Sequence, residues 1–440
     1  MPPPPLLPPS APCTEVDFMA APFWEGHWLR LPEGPGQGVP LGYGAPAAQC
    51  PSGACCGDAR LAWSRWVYRL PTCFFHFFTP TESRACFNGT HVWGSGDSNW
   101  ADTQRNLLAH VLALDITGWL VEEEVDDFVI NGRSNDMPGA RYAPRSPNVP
   151  THDTAEELWP AQGVAWAVQN GATGSWAMGK KVARGETAPH LLPRPGTEYN
   201  MSFRLGSIYN AAPSDDGKNF GLASVYSKPW QGRHEAAWAQ FREEKRLPNL
   251  MFINSGLHDG LRFSGHPFAL KDYLLAAEDM VGFWEGLRDK GAGAGAGGVG
   301  GGGLCAPRTV WRHTIAPAGA SRSMKSNPQK MEVFNRLMGG KLLFNNNKNG
   351  SGSGEGGRPH PRLHAECGGV PFATPKPAWG FLDAFDMTFP FHHDNEHSDG
   401  GHYGRYWCNT NGYARCDFVD LMMIQVLMNG LGCESSAKAM

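Results

Sequence analysis

The chain has 440 residues, of which 41% are hydrophobic and 18% charged, and its formal net charge is −4. This length allows a large core in one or two domains. The slightly acidic balance lacks the basic excess of nucleic-acid-binding surfaces, so nucleic acid is not expected as a partner. No apolar run reaches the roughly 18 residues of a membrane-spanning helix, and we expect no membrane span in this sequence.

Six of the eleven cysteines lie in residues 1–86 and three in residues 408–440. This clustering predicts disulfides that staple irregular segments in an oxidising compartment. Scattered reduced thiols are the alternative, and the lack of a Cys-x-x-Cys pair disfavours zinc. Glycosylation sequons at Asn88, Asn200 and Asn349 also favour the secretory pathway. The start of the chain, "MPPPPLLPPSAPC", lacks the basic and apolar regions of a signal peptide, so we expect a targeting segment outside this sequence.

Composition divides the chain into parts. Residues 1–12 are Pro-rich and are predicted to be disordered. Residues 13–90 hold six cysteines and many Trp and Pro residues, which predicts an irregular, disulfide-tied segment packed on the core. Residues 91–433 carry the periodic patterns of a folded domain, and residues 434–440 form a tail. Inside the domain, two Gly-rich stretches are predicted to be disordered surface loops, at 291–303 and 345–357.

Hydrophobic patterns within the domain alternate between strand and helix. In chain order they predict a strand at 91–96, a helix at 102–116, strands at 199–209 and 249–254, a helix at 270–289, a strand at 308–316, a helix at 328–338, a strand at 379–389 and a helix at 417–431. Such an order indicates an α/β fold with a mainly parallel sheet. Ligands bind beyond the carboxyl ends of such strands. The segments "GSGDS" and "NSGLHD" each follow a strand, so we expect them at one edge of the sheet.

Ser98 is the first candidate for chemistry, because it follows Gly96 and Asp97 where a helix pattern begins. The backbone N–H of a residue at a helix start points toward a developing oxyanion, and the helix dipole favours negative charge there. The alternative is an ordinary N-cap serine. On this triplet alone, the cap is the favoured interpretation.

A serine nucleophile needs a neighbouring base, and "SDGGHYG" offers one. Two glycines separate Asp399 from His402, which lets the carboxylate fold back and orient the imidazole. The pair His258 and Asp259 is the second candidate base, because adjacent residues orient each other less easily. A metal site is the other interpretation of the acidic and histidine-rich stretch, and we predict none, because Pro and Gly residues there favour a loop over helical ligand spacing. Its members are His392, His393, Asp394, Glu396, His397, Asp399 and His402.

Two residues at and just after the end of the strand at 249–254 are candidate oxyanion donors. Asn254 has a side-chain amide and Gly256 a backbone N–H, and both would act together with the N–H of Ser98. The alternative is a turn that ends the strand, where Asn, Ser and Gly are expected in any case.

The blocks "GDS", "NSGLHD" and "DGGH", in this order, resemble the GDSL/SGNH hydrolase superfamily. There the serine lies in an early Gly-Asp-Ser block and an Asp-x-x-His block lies near the C-terminus. More narrowly, the chain is similar to the PC-esterase and trichome-birefringence-like group of polysaccharide O-acetyltransferases. The similar segments are "WSRWVYRLPTC" before "HVWGSGDS", then "TEYNMSF", "TVWRHTIAP" and "DGGHY" with Cys408 and a closing helix.

The resemblance implies an SGNH-like α/β/α sandwich that performs acyl transfer through a serine ester. Ser98 would be the nucleophile, His402 the general base and Asp399 the residue that orients His402. No cofactor is implied, only an acetyl donor as co-substrate. The implied partners are a polysaccharide or glycan acceptor and a membrane protein that supplies acetyl groups. The implied location is the Golgi lumen or the cell exterior.

One departure concerns an arginine that usually follows the serine by three residues. Position 101 is Ala, and Arg105 lies seven residues after Ser98, as though "NWAD" were inserted. Arg105 is thus a candidate substrate contact, with an exposed helix arginine as the alternative, and the insertion is a candidate determinant of acceptor choice. Two other functions stay open: a carbohydrate acetylesterase with the same triad, and a non-catalytic glycan-binding protein that uses the Trp-rich N-terminal segment.

Overall fold

The structure is a computed structural model that describes a defined part of the chain. The described residues are 13, 22–30, 66–73, 75–78, 80–111, 164–168, 175–178, 203–209, 228–243, 247–257, 259, 270–294, 306–319, 327–348, 371–372, 379–393, 398, 400–403 and 417–433. The predicted disordered N-terminus (1–12) and the tail (434–440) lie outside them.

The described strands are β1 (His27–Arg30), β2 (Trp66–Arg69), β3 (Thr90–Gly96), β4 (Val164–Val168), β5 (Ser175–Met178), β6 (Phe203–Tyr209), β7 (Leu250–Asn254), β8 (Arg308–Arg312) and β9 (Trp379–Leu382). The described helices are α1 (Pro80–Phe87), α2 (Ser98–Val111), α3 (Lys228–Glu243), α4 (Leu270–Ala294), α5 (Pro328–Lys348), α6 (Ala384–Thr388) and α7 (Asp417–Gly430). A 3₁₀ turn at Phe389–Phe391 follows α6.

Seven strands form one sheet in the order β5-β4-β6-β3-β7-β8-β9. Four parallel pairings join β6, β3, β7, β8 and β9, and β4 pairs antiparallel with both β5 and β6. The predicted α/β class with a mainly parallel sheet is therefore confirmed. Because β6 and β7 lie on opposite sides of β3, the strand order reverses at β3. Open α/β sheets bind ligands at such a switch point.

Helices cover both faces of the sheet, as successive residues of β3 show. The ring of Trp93 contacts His234 and Phe241 of α3. Gly94 and Gly96 point to the other face, where the side chain of Trp100 in α2 lies against them. Helices α3, α4 and α5 contact one another in sequence, and α2 contacts α1 and α7. This gives one helical layer on each face.

The described part of segment 13–90 contains more regular structure than its composition predicts. Strands β1 and β2 form a separate antiparallel ribbon, and α1 precedes β3. A disulfide joins Cys13 to Cys73, and a second joins Cys86 at the end of α1 to Cys433 after α7. The seven other cysteines lie outside the described residues.

Several predicted boundaries are wrong. The strand predicted at 308–316 ends at Arg312, and the helix predicted to begin at residue 102 begins at Ser98. Helix α4 continues to Ala294, into the start of the predicted loop 291–303, because adding residues to an already formed helix costs less than starting a new one. Helix α5 continues to Lys348, into the predicted loop 345–357. The Asn346 side chain fixes this extension, since it donates to the carbonyl of Trp379 (3.0 Å) and accepts from its N–H (2.8 Å).

Another correction concerns the predicted strand at 379–389. The strand ends at Leu382, and Asp383 then caps α6 by accepting a hydrogen bond from the N–H of Asp386 at 3.2 Å. Asp is a preferred N-cap residue, so this local signal was present in the sequence. Within the described residues, no helix combines the length and the apolar character needed to cross a bilayer.

Candidate active site

The candidate site lies at the carboxyl edge of the sheet, where β3, β7, β8 and β9 end side by side. "GSGDS" and "NSGLHD" follow β3 and β7, which are direct neighbours. The expectation that these two segments share one edge is therefore confirmed. The turn after β3 is also at the switch point of the sheet, which makes it the favoured place for a ligand.

The turn after β3 is short and tightly held. Strand β3 ends at Gly96, a single residue follows, and α2 begins at Ser98. Oδ1 of Asp97 accepts the N–H of Asn99 at 3.0 Å, which caps the new helix. The backbone N–H of Ser98 thus belongs to the first turn of a 14-residue helix, at its positive dipole end. The Ser98 side chain lies outside the described residues.

The carboxylate of Asp97 connects this turn electrostatically to His402. Asp97 is only 2% exposed. Burial raises the pKa of Asp97, while the charges of Arg312 and His402 act in the opposite direction. Its Oδ2 atom has no hydrogen-bond partner among the described residues. The histidine of "DGGH" therefore lies close enough to the Gly-Asp-Ser turn to interact with it, although some 300 residues separate the two in sequence.

The loop that carries His402 is fastened to the segment after β8. The N–H of Ala318 donates to the carbonyl of Gly400 at 2.8 Å. The hydroxyl of Tyr403 donates to the carbonyl of Ala316 at 2.9 Å. These two bonds hold the backbone on both sides of His402, whose side chain is half-buried. Asp399 and residues 394–397 lie outside the described residues.

A buried polar network lies beneath the turn and joins three elements. Arg312, at the end of β8, has its guanidinium 3.9 Å from the carboxylate of Asp420 in α7. The hydroxyl of Thr103 in α2 donates to the same carboxylate at 2.6 Å. All three side chains are almost completely buried. The network therefore fixes the helix that starts at Ser98 against both the sheet and α7.

The two other predicted oxyanion donors are both buried at the end of β7. The amide nitrogen of Asn254 donates to the carbonyl of Arg312 at 3.1 Å, which ties the ends of β7 and β8 together. Gly256 has φ +134, a conformation that favours glycine. The structure thus gives Asn254 a bridging role in addition to the predicted one, and it places the Gly256 backbone beside the neighbouring strand end.

A second histidine–carboxylate pair lies at this edge and was not among the predicted site residues. Nδ1 of His313 lies 2.9 Å from Oδ1 of Asp383, and both side chains are buried. The N–H of Trp24 donates to the other oxygen of Asp383 at 3.0 Å. His313 and Asp383 come directly after β8 and β9. Polar residues directly after a predicted strand, the feature that pointed to the segment containing Ser98, could therefore have identified them as well. Asp383 thus caps α6, pairs with His313 and binds the N-terminal segment through Trp24.

The remaining predicted site residues lie after β7 and in α2. His258 of the second candidate base lies outside the described residues, and Asp259 is buried and accepts the Ser255 hydroxyl at 2.9 Å. The backbone of Arg105 lies in α2, and its side chain lies outside the described part. Asn99 and Trp100, of the "NWAD" stretch proposed to alter acceptor choice, are 3% and 1% exposed. These two side chains pack in the core and do not face an acceptor, since α2 is continuous from Ser98 and contains no looped-out insertion.

A comparison with known protein families, with curated proteins and with solved structures finds no match to this chain.

Proposed function

We propose that this protein is a serine-dependent glycan O-acetyltransferase of the secretory pathway that works through an acetyl-serine intermediate. The observation that carries the proposal is the electrostatic interaction between Asp97 and His402 at the switch point of the sheet. This interaction supports His402, the proposed base, as a neighbour of the turn that contains Ser98. A serine nucleophile, an imidazole base and N–H donors for the oxyanion are the parts that acyl transfer through serine uses.

In the proposed first half-reaction, Ser98 Oγ attacks the carbonyl carbon of an acetyl donor, and the His402 ring takes the serine proton. The carbonyl electron pair moves to oxygen, where the N–H groups of Ser98 and Gly256 and the Asn254 amide stabilise it. The bond to the leaving group then breaks, and His402 returns the proton to that group. Asp399 orients His402 and stabilises the imidazolium; it is assigned from its place before the two glycines of "DGGH".

In the second half-reaction, a sugar hydroxyl gives its proton to His402, and its oxygen attacks the carbonyl carbon of the acetyl-serine. The bond from Ser98 Oγ to that carbon then breaks, His402 returns the proton to Ser98 Oγ, and the acetyl group stays on the sugar oxygen. The glycan acceptor is proposed from the resemblance described above. The secretory location is supported by the two disulfides and by the exposed position of Asn88, the asparagine of one sequon, because disulfides persist in oxidising compartments.

Replacement of the nucleophile tests the proposal directly. We expect Ser98→Ala to lower turnover of 4-nitrophenyl acetate, a simple acetyl donor, by at least about 10³-fold, because loss of a nucleophile removes the covalent route. The wild-type protein should gain the mass of one acetyl group on the peptide that contains Ser98. Ser95→Ala is the matched control, since this serine is buried in β3 three residues earlier. A Ser98→Ala protein with wild-type turnover overturns the proposal.

The acceptor is tested by product analysis with the same donor and a free, unacetylated polysaccharide. We expect acetyl groups on the polysaccharide, and none with Ser98→Ala. Release of free acetate alone, with or without the polysaccharide, would contradict the transferase and identify an acetylesterase. Binding of the polysaccharide without serine acetylation would instead identify a glycan-binding protein.

A further inference from the structure

The hydroxyl of Thr314 is a buried polar group at the catalytic edge that the proposed mechanism does not use. Thr314 is the second residue after β8 and is only 1% exposed. Its Oγ1 atom has no hydrogen-bond partner within the part of the chain that the structure describes. Buried hydroxyl groups in native proteins are nearly always hydrogen-bonded. An unsatisfied one at the carboxyl edge of the sheet therefore points to a partner that arrives with the substrate.

Thr314 packs directly on Gly256. A β-carbon built on Gly256 would lie 3.0 Å from both Cβ and Cγ2 of Thr314 and 3.5 Å from its Oγ1. The close approach requires glycine at position 256, as does its φ of +134. The Thr314 hydroxyl is consequently beside the peptide group whose N–H we assign to the oxyanion.

The Thr314 backbone is held rigidly by Asn335 of α5. The N–H of Thr314 donates to Oδ1 of Asn335, and Nδ2 of Asn335 donates to the carbonyl of Thr314, each at 3.0 Å. A β-branched side chain on a fixed backbone has few rotamers. The hydroxyl is thus held in position before substrate binds, which is the condition under which a donor contributes most to oxyanion stabilisation.

We propose that the Thr314 hydroxyl is a further catalytic donor, which hydrogen-bonds the acetyl carbonyl oxygen as that oxygen becomes an oxyanion. The inference rests on the proposed function. Thr314 keeps its proton throughout: the bond from Ser98 Oγ to the carbonyl carbon forms, the carbonyl electron pair moves to oxygen, and the serine proton passes to His402. Collapse of the intermediate restores the carbonyl and expels the leaving group with that proton.

The test compares Thr314→Val, which removes the hydroxyl with little change in volume, with Thr314→Ser, which keeps it. With 4-nitrophenyl acetate, Thr314→Val should lower kcat by about 10²-fold and leave KM within about twofold, as loss of an oxyanion donor does. Thr314→Ser should retain most of the activity. Thr90→Val is the matched control, in protein from a host that does not glycosylate. The Thr90 hydroxyl is also buried and has no partner within the described residues, but it lies at the opposite end of β3.

The outcomes separate this inference from the proposed function. Wild-type kcat in Thr314→Val, with Ser98→Ala inactive, overturns the role of Thr314 alone. Equal losses in the Val and Ser variants also overturn it, because they indicate a packing role. If Thr314→Val fails to fold, judged by its circular dichroism, Thr314→Ala takes its place against Thr314→Ser. Full activity in Ser98→Ala contradicts the proposed function itself.

Discussion

Two carboxylates in and before α6 hold the N-terminal ribbon on the carboxyl edge of the sheet. Asp383 accepts the N–H of Trp24, and Asp386 accepts the N–H of Gly26 at 3.2 Å and the hydroxyl of Tyr68. Gly26 and the Tyr68 ring are in close contact, since a β-carbon on Gly26 would overlap that ring. Two acidic side chains three residues apart thus connect β1 and β2 to the end of β9.

Asp386 should make the stability of the protein depend on pH. Burial and the nearby charge of Asp383 raise the pKa of Asp386 from 3.8 to about 7 in the folded state, although its bonds to Tyr68 and Gly26 act against this. The folded protein therefore binds this proton more tightly than the unfolded chain. Asp386 therefore contributes most to the free energy of unfolding below about pH 4, and this contribution is lost as the pH rises to 7 and above.

We expect the change in the free energy of unfolding caused by Asp386→Asn to be more favourable at pH 8 than at pH 5. The reason is that Asn stays neutral at both pH values and still accepts a hydrogen bond. Urea unfolding of both proteins at the two pH values measures the difference. Glu278→Gln is the control: the pKa of this exposed glutamate is lowered by Lys341, so its carboxylate is ionised at both pH values and its replacement should have nearly the same effect at pH 5 and pH 8. An Asp386→Asn effect that is the same at pH 5 and pH 8 would contradict this account.

At the scale of elements, the contact between β3 and α2 depends on glycines in the strand. Trp100 packs across Gly94 and Gly96 and stacks on Phe252 of β7, with ring centroids 4.8 Å apart. A β-carbon on Gly96 would lie 2.3 Å from Cβ of Trp100. That atom is bound to the helix backbone and cannot rotate away. The helix can therefore start immediately after the strand only because Gly96 has no side chain.

Gly96→Ala should destabilise the protein by about 1–3 kcal/mol, the usual effect of an overpacked core, and it should lower activity by displacing Ser98. Gly282→Ala is the matched control. Gly282 lies inside α4, and a β-carbon there meets no atom within 4 Å. Replacement of glycine by alanine within a helix adds roughly 0.5–1 kcal/mol of stability. In thermal unfolding, Gly96→Ala should lower the Tm and Gly282→Ala should raise it. Equal changes in Tm would contradict the packing argument.

At the scale of the whole molecule, the disulfide between Cys86 and Cys433 joins the two ends of the described domain across 347 residues of sequence. It also connects the end of α1 to the residues after α7, and both helices belong to the layer that includes α2. A cross-link over a long loop restricts the unfolded chain strongly. The Cys13–Cys73 bond closes a loop of only 60 residues.

Replacement of both Cys86 and Cys433 by Ser should lower the free energy of unfolding by about 2–5 kcal/mol. The same replacement of Cys13 and Cys73 should have a smaller effect, because the closed loop is shorter. Urea unfolding of both double variants, with the other cysteines unchanged, gives the comparison. A larger loss for the Cys13 and Cys73 variant would show that loop length does not govern the contribution of these bonds.

The strands were largely predictable from sequence because their signals are local. Buried runs such as residues 249–254 stand out from polar turns, and their order along the chain indicates a parallel sheet. Helix ends were less predictable. The last turns of α5 are held by the bond from Asn346 to Trp379, which no pattern of the residues 328–348 reveals. The start of α6 was missed because aromatic residues masked the Asp383 cap.

The sequence by itself determined that serine follows a strand at a helix start, and that a histidine block lies near the other end of the chain. Those are properties of neighbouring residues. Only the tertiary structure decided which strand ends are adjacent, because pairing depends on contacts across hundreds of residues. It placed His402 near Asp97, buried Trp100 in the core and put the Thr314 hydroxyl beside Gly256. Burial and proximity, which set the pKa of Asp386 and leave the Thr314 hydroxyl without a described partner, exist only in the folded chain.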